Sequence, residues 1–384
     1  MRESMYGELS VIGMRGCSQF VNQVDYYLKE WRSHDTDETF VINAECPRFG
    51  SGEAKGLLHQ SMRGRDVYII SDCFNHGVTY KMYGQEVPMS PDDHYQDLKR
   101  TIAAIGGKAN RITVIMPMLY EGRQHKRSSR ESLDCALALQ ELVSMSASNI
   151  ITFDAHDPRV QNAIPLTGFD NIRPTYQMLK ALVRNIPDIS LDHDDTVIIS
   201  PDEGAMSRTM YYASVLGLEL GMFYKRRNYS VIIDGKNPIE AHEYLGRDIK
   251  GKDVIVIDDM ISSGDSIIDV AKQLKEKGAK RIFFFVTFGL FVSGFDIFDK
   301  AYAEGIFDKC FTTNLIYHPE GLMEREWYAE VNMCKYVALL IDTLNQNKSI
   351  GTLLNPVKKI HSILDAQNQK RALERGEQIK IEEQ

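Results

Sequence analysis

Asp258 and Asp259 close an apolar run, Val254-Ile255-Val256-Ile257, and lead into Met260-Ile261-Ser262-Ser263-Gly264-Asp265-Ser266. A buried strand that ends in two carboxylates and turns through a short Ser/Gly loop directly into a helix has the parts of a ribose-phosphate site. Unpaired N–H groups at the helix start, with the hydroxyls of Ser262, Ser263 and Ser266, can cradle a phosphate. The neighbouring acids can accept hydrogen bonds from sugar hydroxyls. Asp265 suits a dianion poorly unless its side chain turns away to cap the helix. The plainer alternative is a capped strand-to-helix turn with acids at its end by chance; the acid pair and the hydroxyl loop together weigh against it. A second set of polar residues follows an apolar strand at Tyr120-Glu121-Gly122-Arg123-Gln124. Arg123 offers a fork for polyphosphate and Gln124 an amide for a base or a ribose.

Such loops need rigid strands behind them. Short β-branched apolar runs recur at residues 9–12, 67–70, 113–116, 150–153, 196–199, 254–257 and 282–286. Several are apolar on both faces, the mark of parallel strands covered by helices. Between them, Ser266 to Lys277 carries Ile267, Val270, Ala271 and Leu274 on one stripe and stops at Gly278; Glu131 to Leu142 and Met206 to Leu218 read likewise. This alternation predicts an α/β fold with right-handed crossovers. Turn chemistry at Pro165 to Asp170 follows one complete set of strands. It divides the chain at 170; the second part runs over 171–349, and the chain turns polar from Asn355, leaving 350–384 as a tail. The segment Phe74 to Asp93, rich in Gly, Pro and Asp, reads as a surface loop or insertion, and Gln367 to Gln384 as a solvated helix or frayed end.

The 384 residues suffice for two ordinary domains, and 43% hydrophobic with 26% charged is a usual globular mixture. With 53 acids against 45 bases, a net charge of -8 gives no global basic field for nucleic acid. Locally placed cations can still bind phosphate. The six cysteines are scattered without a C-x-x-C pair, as expected of reduced thiols in a cytoplasmic protein. No apolar run approaches the roughly 20 residues of a membrane span, and residues 1–10 lack a signal-like apolar core.

The segment Val254 to Ser266 resembles the binding signature shared by phosphoribosyltransferases and phosphoribosyl-pyrophosphate synthetases, with Ser263 and Ser266 where Thr is common. Other segments resemble the synthetase, or ribose-phosphate pyrophosphokinase, family more narrowly. Arg48-Phe49-Gly50-Ser51-Gly52-Glu53 is similar to its adenine loop, where the family has Asp at the place of Ser51. Arg123-Gln124 is similar to the loop that reaches ATP. Phe153-Asp154-Ala155-His156, with Gln161 at the family's spacing, is similar to its strand-end Asp-x-His. Ser200-Pro201-Asp202-Glu203-Gly204 resembles the pyrophosphate loop, where Gly204 permits close backbone approach. Lys225 and Arg227 match a Lys-x-Arg that begins a mobile closing loop. The resemblance runs from Leu9 to Ser349 in the family's order and leaves 74–93 and the residues after 350 uncovered.

The resemblance implies a divergent member with two phosphoribosyltransferase-like α/β domains, each a mainly parallel sheet flanked by helices. ATP would lie on Phe49, Ser51, Glu53, Arg123 and Gln124, and ribose 5-phosphate on Asp258, Asp259, Ser262, Ser263, Gly264, Asp265 and Ser266. Mg²⁺, two ions by the family's pattern, would sit near His156 and Asp202, with Asp154 orienting the histidine. The anomeric hydroxyl would attack the β-phosphorus, and Lys225, Arg227 and His156 would stabilise the transferred group. The resemblance also implies a cytoplasmic homo-oligomer, dimer or hexamer, without nucleic-acid or membrane partners. Two other readings stand beside this one. A non-catalytic regulatory subunit would show no AMP release, and a phosphoribosyltransferase would need a base and no ATP.

Overall fold

Val254, Ile255, Val256 and Ile257 are 0–1% exposed, because their strand is covered on both faces, as continuous apolar runs require. The computed structural model describes residues 5–32, 39–227 and 239–374. They form two compact units: Met1–Pro174 with Thr313–Pro319 and Asn332–Leu354, and Thr175–Thr312 with Glu320–Val331 and Asn355–Gln384.

In the first unit, five parallel strands lie in sheet order Glu8–Gly13, Arg65–Ile70, Arg111–Ile115, Asn149–Phe153 and Gly168–Ile172. The first four hold the first four apolar runs read from the sequence, except that Met116 falls beyond its strand. Late segments complete this unit. Arg32, at the end of the helix Ser18–Arg32, pairs with Asp342 and donates to Asn345 Oδ1 at 2.6 Å on the helix Cys334–Asn345.

Asp72, 6% exposed, secures another late segment: its carboxylate accepts Phe74 N–H at 2.9 Å and Tyr317 N–H at 2.7 Å. Burial outweighs these donors and pushes its pKa up to about 6. An acid raised in the folded state binds more protons folded than unfolded, so its contribution to stability falls as pH rises from about 4 to about 6. The change amounts to about 3 kcal/mol. We expect the urea-unfolding free energy of the wild type, relative to Asp72→Asn, to fall by that amount between about pH 4 and about pH 7. A difference that does not change with pH would sink the assignment.

The second unit has a seven-stranded sheet in the order Ile239–Leu245, Glu219–Arg227, Thr196–Ser200, Asp253–Ile261, Arg281–Gly289, Lys309–Thr313 and Tyr328–Val331. Pairing is parallel from Glu219–Arg227 through Lys309–Thr313, and Ile239–Leu245 is an antiparallel edge. From Thr196–Ser200 the chain proceeds to one side, and from Asp253–Ile261 to the other. Ligands gather beyond the carboxyl ends of strands at such a reversal.

Two readings need correction. Residues 74–93 are not a loop: Thr79–Met82 and Gln85–Pro88 form a hairpin, and Pro91 opens the helix Pro91–Ile105, capped by Ser90. Polar composition hid the hairpin because its strands bury little apolar surface. The chain after 350 is not simply a polar tail. The helix Val357–Glu374 packs on Thr175–Asn185 and Met206–Leu216 and buries Ile360 completely. Too few apolar side chains mark its inner face for a periodic signal. The polar stretch after Lys225 contains the edge strand Ile239–Leu245, while residues 228–238, most of the expected closing loop, lie outside the described residues.

Candidate functional site

Thr196–Ser200 and Asp253–Ile261 pair in parallel with Ile199 opposite Val256, so Asp202 and Asp258 emerge at the same end of the sheet. A cavity of about 170 Å³ opens there, and its wall includes Asp202, Asp258, Ser262, Ser263, Gly264 and Ser266. Gly264, at φ 97°, is the N-cap of the helix Asp265–Glu276, and no side chain caps that end. The first amides of the helix therefore keep their capacity for an anion. Asp265 does not cap the helix. Its carboxylate accepts the Ser263 hydroxyl at 2.6 Å, and it is absent from the cavity wall.

The two strand-end acids differ. Asp258 lines the cavity; Asp259 is buried and does not. Burial first, and then the neighbouring Asp259 charge, hold the Asp258 carboxyl well above the usual carboxylate range, partly offset by Arg208. Asp259 N–H donates to Asp258 Oδ1 at 2.8 Å. Arg208 Nη1 lies 3.5 Å from a carboxylate oxygen of each acid, with its own side chain 7% exposed. Sequence reasoning passed over Arg208. The available signal was its place on the buried stripe Arg208, Thr209, Tyr212, Ala213 and Leu216 of the helix Met206–Leu216, since an arginine on an apolar face requires a buried partner. Asp202 Oδ1 accepts Ala205 N–H at 3.2 Å, and the Ser200 hydroxyl donates to Asp202 O at 2.7 Å. These bonds fix the turn that presents the Asp202 carboxylate.

In the first unit, residues 48–54 close on themselves. Phe49 N–H donates to Glu53 O at 2.7 Å, Gly52 N–H to Phe49 O at 2.9 Å and Ser51 Oγ–H to Glu53 Oε2 at 2.9 Å. Phe49 stands 55% exposed, an aromatic face open to a planar partner. Arg48 is committed elsewhere, to Asp97 at 2.9 Å and over the Tyr80 ring at 4.7 Å.

Arg123 is exposed, while Gln124 Nε2 donates to Ser132 O at 2.9 Å. Asp154 is buried at the end of Asn149–Phe153 with φ 38°. That region disfavours a residue with a Cβ, and such strain concentrates at functional sites. His156 follows it, and its ring lies 5.3 Å from that of His125, centroid to centroid. His125 Nε2 lies 3.5 Å from Asp157 Oδ2. The Arg159 hydrogen bond, ahead of other causes, lowers the Asp157 pKa to about 2. Sequence reasoning gives His125 no role, because nothing local reveals that the two loops meet. Lys225 and Arg227 lie at the end of Glu219–Arg227, opposite His242 and Ile239, with a register shift between Arg226 and Arg227.

A family model described as the N-terminal domain of ribose phosphate pyrophosphokinase matches residues 9–145, and one described as the phosphoribosyl transferase domain matches 168–294. The ribose-phosphate pyrophosphokinase of Vibrio cholerae is 26% identical over 318 residues, 82% of this chain and 91% of its own length. That of Chlorobaculum tepidum is 30% identical over 247 residues, 64% of this chain and 68% of its own. The crystal structure of phosphoribosylpyrophosphate synthetase from Mycobacterium smegmatis shares the fold, with a TM-score of 0.70 at 24% identity, covering 88% of this chain and 99% of that one.

Proposed function

The chain belongs to the ribose-phosphate pyrophosphokinase family, and we propose that it makes 5-phosphoribosyl 1-pyrophosphate and AMP from ATP and ribose 5-phosphate. The observation that carries this reading is the cavity at the strand reversal, where Asp202, Asp258, the serine hydroxyls and an uncapped helix start face the same space. The phosphate of ribose 5-phosphate would accept from the amides that begin Asp265–Glu276 and from Ser262, Ser263 and Ser266. Asp258 would hold a sugar hydroxyl with Asp259 beside it, and Asp265 would steady Ser263. The adenine would lie on the loop of Phe49, Ser51 and Glu53, with Arg123 on the polyphosphate and Gln124 beside it. We assign residues 1–170, with the late segments that complete the first unit, to the ATP side and the rest of 171–349 to the ribose-phosphate side.

The donor set fits Mg²⁺. The cavity wall carries carboxylate and hydroxyl oxygens in small number, with volume left for the waters this ion retains. Asp202 would hold one ion and His156 another, with Asp154 fixing the histidine. When bound, Mg²⁺ supplies charge neutralisation to the polyphosphate. The anomeric oxygen forms its bond to the β-phosphorus as the bond to the α-phosphate oxygen breaks. AMP leaves with that oxygen, and the hydroxyl proton passes to solvent. Lys225 and Arg227 would steady the charge on the transferred group, and the rest of the acceleration is positioning. We further propose a cytoplasmic homo-oligomer, dimer or hexamer. A solution mass equal to that of a single 43.7 kDa chain would contradict it.

The decisive assay is AMP formation from ATP and Mg²⁺ with and without ribose 5-phosphate. AMP that depends on the sugar phosphate, and falls by roughly 10- to 100-fold in Lys225→Ala, supports the reading. No AMP in any condition overturns it and leaves a regulatory role.

A further inference from the structure

We propose that the hairpin Thr79–Pro88 is a brace that holds the loop Phe49–Glu53 in its binding conformation, with Tyr83 as the positioning residue. The inference rests on the reading that this loop receives the nucleotide base. A five-residue turn containing Gly50 and Gly52, held by two main-chain bonds and one side-chain bond of its own, would lose conformational freedom on binding. Ordering it beforehand strengthens affinity.

The hairpin supplies that order through three contacts. Tyr83 N–H donates to Gly50 O at 2.8 Å. Gly52, at φ 94°, sits against Met82 so closely that an added Cβ would lie 2.9 Å from its sulfur. The Tyr80 ring carries the Arg48 guanidinium at 4.7 Å, at the foot of the loop.

The brace is itself anchored. Arg15 Nη2 donates to Thr79 O at 2.7 Å, Met89 N–H to Val78 O at 2.8 Å, and the Tyr80 hydroxyl to Asp93 Oδ1 at 3.3 Å. Its turn holds Tyr83 at φ 49° and Gly84 at φ 79°. Two positive φ angles define the turn that suits a two-residue hairpin, where Asn or Gly is usual and a tyrosine is unfavourable. The surrounding contacts maintain that conformation, and it is the one that aims the Tyr83 amide at Gly50. The Tyr83 side chain is 81% exposed, so the link to the loop is main-chain.

The test measures equilibrium binding of ATP and of inorganic tripolyphosphate, with KM for ATP and for ribose 5-phosphate, in the wild type, Tyr83→Pro and Met82→Ala. Proline removes the N–H and cannot adopt the turn. Tyr83→Pro should weaken ATP binding and raise KM for ATP about tenfold. Tripolyphosphate binding, KM for ribose 5-phosphate and kcat should stay within about twofold. Met82→Ala should weaken ATP binding about threefold by the same route, and it decides the matter if the proline variant does not fold. ATP affinity unchanged in the folded variants, or tripolyphosphate weakened equally, overturns the brace. So does a wild type that binds ATP no better than tripolyphosphate. A wild type that binds ATP and responds to these variants, yet makes no ribose 5-phosphate-dependent AMP, refutes the proposed reaction and leaves the brace standing.

Discussion

Arg208→Gln is expected to lower kcat/KM for ribose 5-phosphate by roughly 10²- to 10³-fold and to destabilise the second unit by about 3 kcal/mol. Arg208 Nη1 lies 3.5 Å from both Asp258 and Asp259, and its side chain is almost fully buried. At an effective dielectric of about 20, each contact carries about 5 kcal/mol of attraction before desolvation is counted. Much of that offsets the burial of three charges, so the intact triad adds little to stability. Removing one member leaves the desolvation uncompensated, and this asymmetry makes the expected loss large.

Arg208 lowers the Asp258 pKa against burial and the Asp259 charge, which raise it. Without the guanidinium Asp258 rises further. A raised acid loses stability as pH rises, so the defect should deepen toward alkaline pH. Arg208→Lys keeps the charge and loses the planar fork, and should recover stability more fully than kcat/KM. Urea unfolding and initial rates against ribose 5-phosphate check both parts. Wild-type kinetics in Arg208→Gln would remove Arg208 from any role in the site.

Gly264→Ala should cost about 3 kcal/mol and reduce kcat/KM for ribose 5-phosphate by about 10²-fold. Two effects add. At φ 97° a Cβ is strained, by about 1–2 kcal/mol. The same Cβ would also lie 2.4 Å from two ring atoms of Phe298. That ring is fully buried and stacked on Trp327 at 5.3 Å, so it can yield only by disturbing Trp327, Phe291 and Phe307 around it. Overpacking of this kind costs about 1–3 kcal/mol. The loop would move instead, and a shift of about an ångström at a positioning element carries the kinetic loss.

Gly217→Ala is the comparison, since Gly217 has φ 68° but nothing within 4 Å of an added Cβ. It should show the backbone strain alone, about 1 kcal/mol. Thermal melts of the two variants separate the terms. Equal shifts would mean that the Phe298 overlap is relieved elsewhere.

Much of the architecture could be read along the chain. Runs such as 67–70 and 254–257 are apolar on both faces only because helices cover the sheet on both sides, and that requirement is written residue by residue. The helix Asp265–Glu276 carries its own stripe and ends beside Gly278. The loop after Asp258 was legible because a strand, an acid pair, hydroxyls and a helix start fall within a few residues of one another.

What stayed hidden depends on distant partners. The strands of the 79–88 hairpin have almost no apolar face, and their order comes from bonds to Arg15, Gly50 and Asp93. Arg208 reads as an ordinary helical arginine until the neighbouring strand brings Asp258 and Asp259 beside it. His125 and His156 stand 31 positions apart in the sequence and meet only because their loops leave the same sheet.

The sequence by itself determined the alternating α/β elements and the strand, acid pair, hydroxyl loop and helix start of residues 254–266, because local periodicity and adjacent residue types suffice for those. Tertiary structure alone decided which acid faces the cavity, which is paired with a buried arginine, and what holds the Phe49 loop in shape. Side-chain direction, desolvation and ion pairing are set by neighbours in space, and one-dimensional spacing carries no record of them.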